Sequence, residues 1–107
     1  MTKVMRSLVV LASVAFLAGA VGFAQSAGEA TYKAKCQNCH GPTGMADSGI
    51  GKALKVKQVT DPEVKKFTMA AMIEATKNGT GKMQPYKNSL TEAQIKDVVE
   101  YFHSLSK

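Results

Sequence analysis

Apolar residues recur with the period of an α-helix near the end of the chain. That period places five of them on one helical face: Ile95, Val98, Val99, Phe102 and Leu105. Thr91 and Gln94 precede this face at the spacing of a capping box. Leu90 and Ile95 hold the positions of a hydrophobic staple. The pattern predicts an amphipathic helix that begins directly after Thr91.

A second helical stripe lies in the middle of the chain. It consists of Met69, Met72, Ile73 and Thr76. The helix is predicted to begin near Thr68 and to end at Asn78–Gly79, because that pair tolerates a positive φ. Upstream, Asp61–Pro62 has the pattern of an N-cap followed by the first residue of a short helix.

The remaining segments predict one short helix and two loops. Residues 28–35 favour a helix in which Gly28 and Tyr32 share a face. Glycines interrupt residues 41–59, which predicts a loop with a possible helical turn near 52–56, and residues 80–88 form the second loop. Since no alternating strand pattern competes, the fold class is all-α, with short helices and long loops.

The first 24 residues differ from the rest. Lys3 and Arg6 precede an uncharged apolar stretch, and Gly22 and Ala24 offer the small residues of a cleavage site. This order is typical of a secretory signal peptide. We expect residues 1–24 to be removed near Ala24, leaving residues 25–107 as a domain exported to the periplasm without a membrane span.

The charge of the chain limits the classes of molecule that it is expected to bind. The full chain has 14 basic and 8 acidic residues. Removal of Lys3 and Arg6 leaves 12 basic residues against 8, a net charge near +4, and all 12 are lysines. Nucleic-acid recognition depends on arginine forks and aromatic stacking, neither of which is indicated here. The lysine excess predicts either ordinary solubility or attraction to an acidic partner.

The aromatic content is low for a self-sufficient core. The chain has four Phe, three Tyr and no Trp. Small domains bury little surface and often need a cofactor or another stabilising element in order to fold. A cofactor is therefore expected to fill part of the interior.

Cys36-Gln37-Asn38-Cys39-His40 supplies the motif for such a cofactor. It is C-x-x-C-H, the pattern of covalent haem c attachment. Two thiols three residues apart can reach the two vinyl groups at one edge of the porphyrin. The histidine that follows then lies beneath the iron as an axial ligand. Cys36, Cys39 and His40 are thus the expected haem-binding residues.

Three other interpretations of the two cysteines are weaker. A redox-active disulfide normally lies at a helix start in a βαβ context, which is missing here. A zinc site needs about four ligands, and His103 has no second ligand near it in sequence. A structural disulfide would close a very short loop and stabilise little.

With these residues, the chain resembles the class I c-type cytochromes of the short bacterial and algal kind. The opening of that family matches Gly28, Tyr32, the Cys36–His40 motif, Gly41 and Pro42. The late part matches Met83 in a glycine-rich loop, Leu90-Thr91 and the Val98-Val99-x-Tyr101 helix. The resemblance covers residues 28–104. It implies the cytochrome c fold, in which short helices and loops wrap one covalently bound haem and the terminal helices cross.

The resemblance also implies residue roles. Met83 matches the family's sixth iron ligand, although Gln84 stands where many relatives have proline. Met45, Met69 and Met72 are its rivals, of which the last two lie on an apolar stripe where methionine usually fills a core. The Pro42 carbonyl is the expected acceptor for the second His40 ring nitrogen.

The same resemblance gives one further role, and the position of His103 near the end of the predicted last helix gives another. Gly28, Tyr32 and Tyr101 match the residues at the helix crossing, where their role is packing. His103 is expected to be a solvated surface residue.

Electron transfer is the function that the resemblance implies. The protein is expected to be a soluble, monomeric, non-enzymatic carrier that cycles one haem c between Fe(III) and Fe(II) and meets redox proteins with acidic docking surfaces. One alternative is a haem subunit of a larger periplasmic oxidoreductase. Another is a haem enzyme or sensor with an open sixth coordination position, which the lack of an acid–base pair disfavours.

Overall fold

The computed structural model describes residues 27–107. The predicted signal peptide, residues 1–24, lies outside this part of the chain. Residues 27–107 form six helices in succession: α1 (27–35), α2 (Gln37–His40), α3 (Gly49–Ala53), α4 (Pro62–Lys65), α5 (Met69–Asn78) and α6 (Glu92–Ser104). Within residues 27–107 the only β-type pairing is an isolated bridge between Thr80 and Met83. The predicted all-α fold class is confirmed.

The starts of the last three helices are fixed by the residues that the pattern indicated. The Asp61 side chain accepts the Glu63 backbone N–H at 2.8 Å at the start of α4. Thr68 accepts the Ala71 N–H at 3.1 Å at the start of α5. At the start of α6, Thr91 and Gln94 form both hydrogen bonds of the capping box. These caps satisfy N–H groups that have no partner within the helix.

The loop between α2 and α4 differs in one detail from the prediction. The helical turn lies at Gly49–Ala53 instead of 52–56. Ser48 is its N-cap and accepts the Gly51 N–H at 3.0 Å. Lys55 has a φ of +57°, which takes the chain out of the helical conformation before the predicted end of the turn at residue 56.

The core lies between α1, α5 and α6. Its buried members are Tyr32, Leu90, Ile95, Val98 and Val99. Half-buried side chains from the predicted α5 stripe pack against it, including Met69, Met72 and Ile73. Helices α5 and α6 pack together, and α2 contacts α3. In residues 27–107 no helix is both long enough and apolar enough to cross a bilayer.

Candidate functional site

Cys36, Cys39 and His40 lie on one turn of backbone. Cys36 follows α1, to which it is tied by its N–H donating to the Tyr32 carbonyl at 2.9 Å, and it is the N-cap of α2. The His40 N–H donates to the Cys36 carbonyl at 3.0 Å. The turn therefore brings Cys36, Cys39 and His40, the predicted haem-binding residues, close together along one short helix.

Both cysteines are free thiols and both are half-buried. Burial, with a smaller effect from the neighbouring Cys39, raises the pKa of Cys36 to about 11. Cys36 is therefore a neutral thiol at physiological pH. A reactive redox cysteine has the opposite property, a lowered pKa.

His40 is held as a neutral imidazole. Burial lowers the pKa of its side chain, since desolvation disfavours the charged form. Its ring meets the Phe102 ring edge-on, with the centroids 5.0 Å apart. Phe102 is on the apolar face of α6, so the terminal helix helps to set the orientation of the imidazole. A neutral imidazole is the protonation state that ligates metal ions.

The second ring nitrogen of His40 does not have its expected partner. Nδ1 is buried and makes no hydrogen bond. The bond to the Pro42 carbonyl is therefore not formed, which corrects that prediction. Gly41 turns the chain sharply with a φ of +80°, and Pro42 is exposed.

The backbone after His40 is fastened by bonds that the sequence did not indicate. The Tyr32 hydroxyl donates to the Gly41 carbonyl at 2.5 Å, and the Ala46 N–H donates to the His40 carbonyl at 2.8 Å. The family resemblance implies only a packing role for Tyr32. Its buried hydroxyl also holds the backbone at Gly41 in position. The available signal was the tyrosine itself, because a buried phenol needs a hydrogen-bond partner.

Helix α3 packs against the turn that carries Cys36, Cys39 and His40. The Ser48 hydroxyl donates to the Asn38 carbonyl at 2.6 Å. Gly51 is buried so closely against the Cys39 carbonyl that a Cβ at this position would overlap the oxygen. A glycine is therefore required for this contact.

Met83 lies half-buried in the loop between α5 and α6. Its backbone pairs with Thr80 through two hydrogen bonds of 2.9 and 3.1 Å. Gly79, with a φ of +78°, precedes this pair, and a Cβ on it would come within 2.7 Å of the Met83 carbonyl. The loop therefore holds the predicted fourth site residue in a compact turn at the end of α5.

Gln84 has a defined contact. Its amide donates to the Tyr86 hydroxyl at 3.2 Å, and that hydroxyl donates to the Lys35 carbonyl at 3.2 Å. Lys35 immediately precedes Cys36. The segment after Met83 is thus connected to the residue next to the cysteine turn.

The other methionines have different surroundings. Met69 and Met72 pack against the core, as their helical stripe predicted. The Met45 sulfur accepts a hydrogen bond from the Thr60 hydroxyl at 3.7 Å. His103 is exposed, as expected, near the C-terminal end of α6.

The residues of this site fit covalent haem. Two free thiols on one turn can add across two vinyl groups, and a neutral imidazole with no hydrogen bond at Nδ1 can ligate iron through a ring nitrogen. The Met83 thioether is a soft donor that suits the same metal. Two thiols and an imidazole in this order are the groups with which a protein attaches haem c, and Met83 stays the predicted second axial ligand.

Comparison with known proteins points in the same direction. The family model described as cytochrome c oxidase, cbb3-type, subunit III matches residues 23–102, a range that includes all four site residues. Among solved structures, the c-type cytochrome KustC0563 is similar in fold, with a TM-score of 0.68 and 29% sequence identity. The match covers 75% of this chain and 98% of that one. No curated protein matches.

Proposed function

We propose that this chain, which belongs to the class I monohaem cytochrome c family, is a free electron carrier with His40 and Met83 as axial iron ligands. Membership of the family gives it one covalently bound haem c and electron transfer as its chemistry. One observation supports the proposed ligand set: Tyr86, in the loop that holds Met83, donates a hydrogen bond to the carbonyl of Lys35, the residue directly before the turn with both thiols and His40.

The side chains have distinct tasks in this proposal. Haem c supplies a one-electron Fe(III)/Fe(II) couple when bound. Cys36 and Cys39 would hold the group through two thioether bonds. His40 donates from the α2 side, where the Phe102 ring restricts its orientation. Met83 donates a soft thioether, which favours the ferrous state and raises the reduction potential.

An absorption spectrum of the purified holoprotein tests this ligand set. A Met–Fe(III) bond gives a weak far-red band, and we expect the wild-type protein to show it. The Met83→Ala variant should lose the band. Met69→Ala is the matched control and should keep it, because Met69 packs against the core. Loss of the band in Met69→Ala alone would contradict the proposal, and a high-spin, five-coordinate wild type would indicate an open sixth position instead.

We also propose where the protein works and what it meets. Removal of residues 1–24 would deliver residues 25–107 to the periplasm as a monomer. Seven exposed lysines, called the lysine surface below, are proposed to attract acidic redox partners: Lys52, Lys55, Lys57, Lys65, Lys66, Lys82 and Lys87. Lys57 pairs with Glu63, so it contributes less to this attraction than the others.

A second candidate function is a haem subunit of a larger oxidoreductase. The description of the matching family model favours it, since that family is described as subunit III of an oxidase. Purification from the native source at low ionic strength separates the two candidates. A free carrier elutes alone at the size of one chain, whereas a subunit elutes with a stoichiometric partner that persists through several columns.

A further inference from the structure

Tyr86 connects three parts of the molecule. Its N–H donates to the Thr76 carbonyl in α5 at 3.0 Å. Its hydroxyl donates to the Lys35 carbonyl at the end of α1 and accepts from the Gln84 amide, both at 3.2 Å. Its ring is half-buried and packs against the core. A single residue therefore holds the loop of residues 80–88 to both helices, to α5 through its backbone and to α1 through its side chain.

The bond to Lys35 joins two segments that are distant in sequence and that each lie beside a predicted site residue. Lys35 stands one residue before Cys36, and Tyr86 stands three residues after Met83. Among the hydrogen bonds of residues 27–107, it is the one that links this loop to α1 or α2. The bond of Lys87 to the Lys77 carbonyl, at 3.1 Å, reaches only α5.

The loop needs such a connection because its own backbone can adopt many conformations. Gly79 and Gly81 both have positive φ angles, of 78° and 55°. Glycine gives the chain more conformations to lose on ordering. A proline ring restricts the backbone conformation of the residue directly before it. Because Gln84 separates Met83 from Pro85, this restriction acts on Gln84 and not on Met83.

We infer that the Tyr86 hydroxyl is a positioning group for Met83, an inference that rests on the proposed role of Met83 as an iron ligand. By holding the loop against Lys35, the hydroxyl keeps Met83 at a fixed distance from the turn that carries Cys36 and His40. Without this bond the loop moves outward more easily. Met83 then competes less well with an external ligand for the sixth position.

Imidazole titration of the Fe(III) holoprotein measures that competition. Imidazole must displace the methionine in order to bind, so its apparent affinity reports how firmly Met83 is held. Tyr86→Phe keeps the ring and removes only the hydroxyl. We expect this variant to bind imidazole about fivefold more tightly than the wild type, the factor that corresponds to one ordinary hydrogen bond. The far-red band should disappear in step with binding.

Tyr101→Phe is the matched control. Tyr101 lies at the crossing of α1 and α6, where its ring is 5.3 Å from that of Tyr32. This variant should bind imidazole with wild-type affinity. An equal increase in both variants would mean a general loosening of the fold and would overturn the specific role of Tyr86.

Two further outcomes separate this inference from the proposed ligand set. If the wild type and Tyr86→Phe both show the far-red band and bind imidazole equally, Tyr86 is not a positioning group and Met83 remains the ligand. If the wild type lacks the band and Met83→Ala binds imidazole no more tightly, the assignment of Met83 is wrong. The role of Tyr86 is then wrong with it.

Discussion

Gly28 in α1 lies directly against the carbonyl oxygen of Asp97 in α6. A Cβ at position 28 would overlap that oxygen and would come within 3.2 Å of the Tyr101 Cβ. The Tyr32 ring, one turn further along α1, then packs against Tyr101. The terminal helices therefore cross with their backbones in contact, as the family resemblance implied, and glycine is the residue that permits it.

Gly28→Ala should destabilise the holoprotein. The added methyl group must push α1 away from α6, because the atom in its way belongs to backbone. Overpacking of this kind costs about 1–3 kcal/mol. Denaturant unfolding, followed by far-UV circular dichroism, measures the loss.

Gly49→Ala is the control for that experiment. Gly49 lies in α3 and a Cβ there meets no atom within 4 Å. Alanine in a helix is favoured over glycine by roughly 0.5–1 kcal/mol, so this variant should be as stable as the wild type or slightly more so. Equal losses in the two variants would contradict a specific crossing contact at Gly28.

Thr91→Ala should remove the cap of α6. The Thr91 side chain accepts the Gln94 N–H at 3.1 Å, and the Gln94 side chain accepts the Thr91 N–H at 2.9 Å. Loss of such a cap typically costs about 1 kcal/mol. Thr91→Ser keeps the accepting oxygen and should retain most of the stability in the same unfolding assay. If serine is as damaging as alanine, the cap is not the source of the effect.

Tyr32 should make stability dependent on alkaline pH. Burial is the main cause that raises the pKa of Tyr32 from 10.0 to about 12. The folded protein holds the proton of the Tyr32 hydroxyl more firmly than the unfolded chain does. The contribution of Tyr32 to the free energy of unfolding is therefore complete below pH 10.0 and is lost as pH rises toward about 12. Unfolding free energies measured across this range should fall more steeply for the wild type than for Tyr32→Phe. Parallel curves would show that Tyr32 is not the group responsible.

The lysine surface should attract small anions as well as acidic proteins. Oxidation of the Fe(II) protein by an anionic reagent such as ferricyanide should slow as ionic strength rises, because salt screens the attraction. Lys52→Gln should lower the rate at low salt and flatten its salt dependence. Lys96→Gln removes the same charge from α6, outside the lysine surface, and should have a smaller effect. A rate that does not depend on ionic strength would remove the steering role.

The regular elements could be predicted because their causes are local. The α6 face, the capping box, the N-cap at Asp61 and the start of α5 near Thr68 depend on residues within one or two helical turns of each other. The Cys36–His40 motif is equally local, since five consecutive residues contain both thiols and the imidazole. The turn near Lys52 was misplaced because Ser48, which caps α3, is only one of several polar residues in a glycine-rich loop.

By itself, the sequence determined the fold class and the haem attachment motif, since each depends on the spacing of nearby residues, and its resemblance across residues 28–104 indicated the family. Only the tertiary structure decided which distant groups meet. It joined Tyr32 to Gly41 and Tyr86 to Lys35. It also left His40 Nδ1 without a bond to Pro42, although that residue is only two positions away. The physical reason is that a hydrogen bond across nine or 51 residues depends on how whole helices pack, and no local spacing encodes that packing.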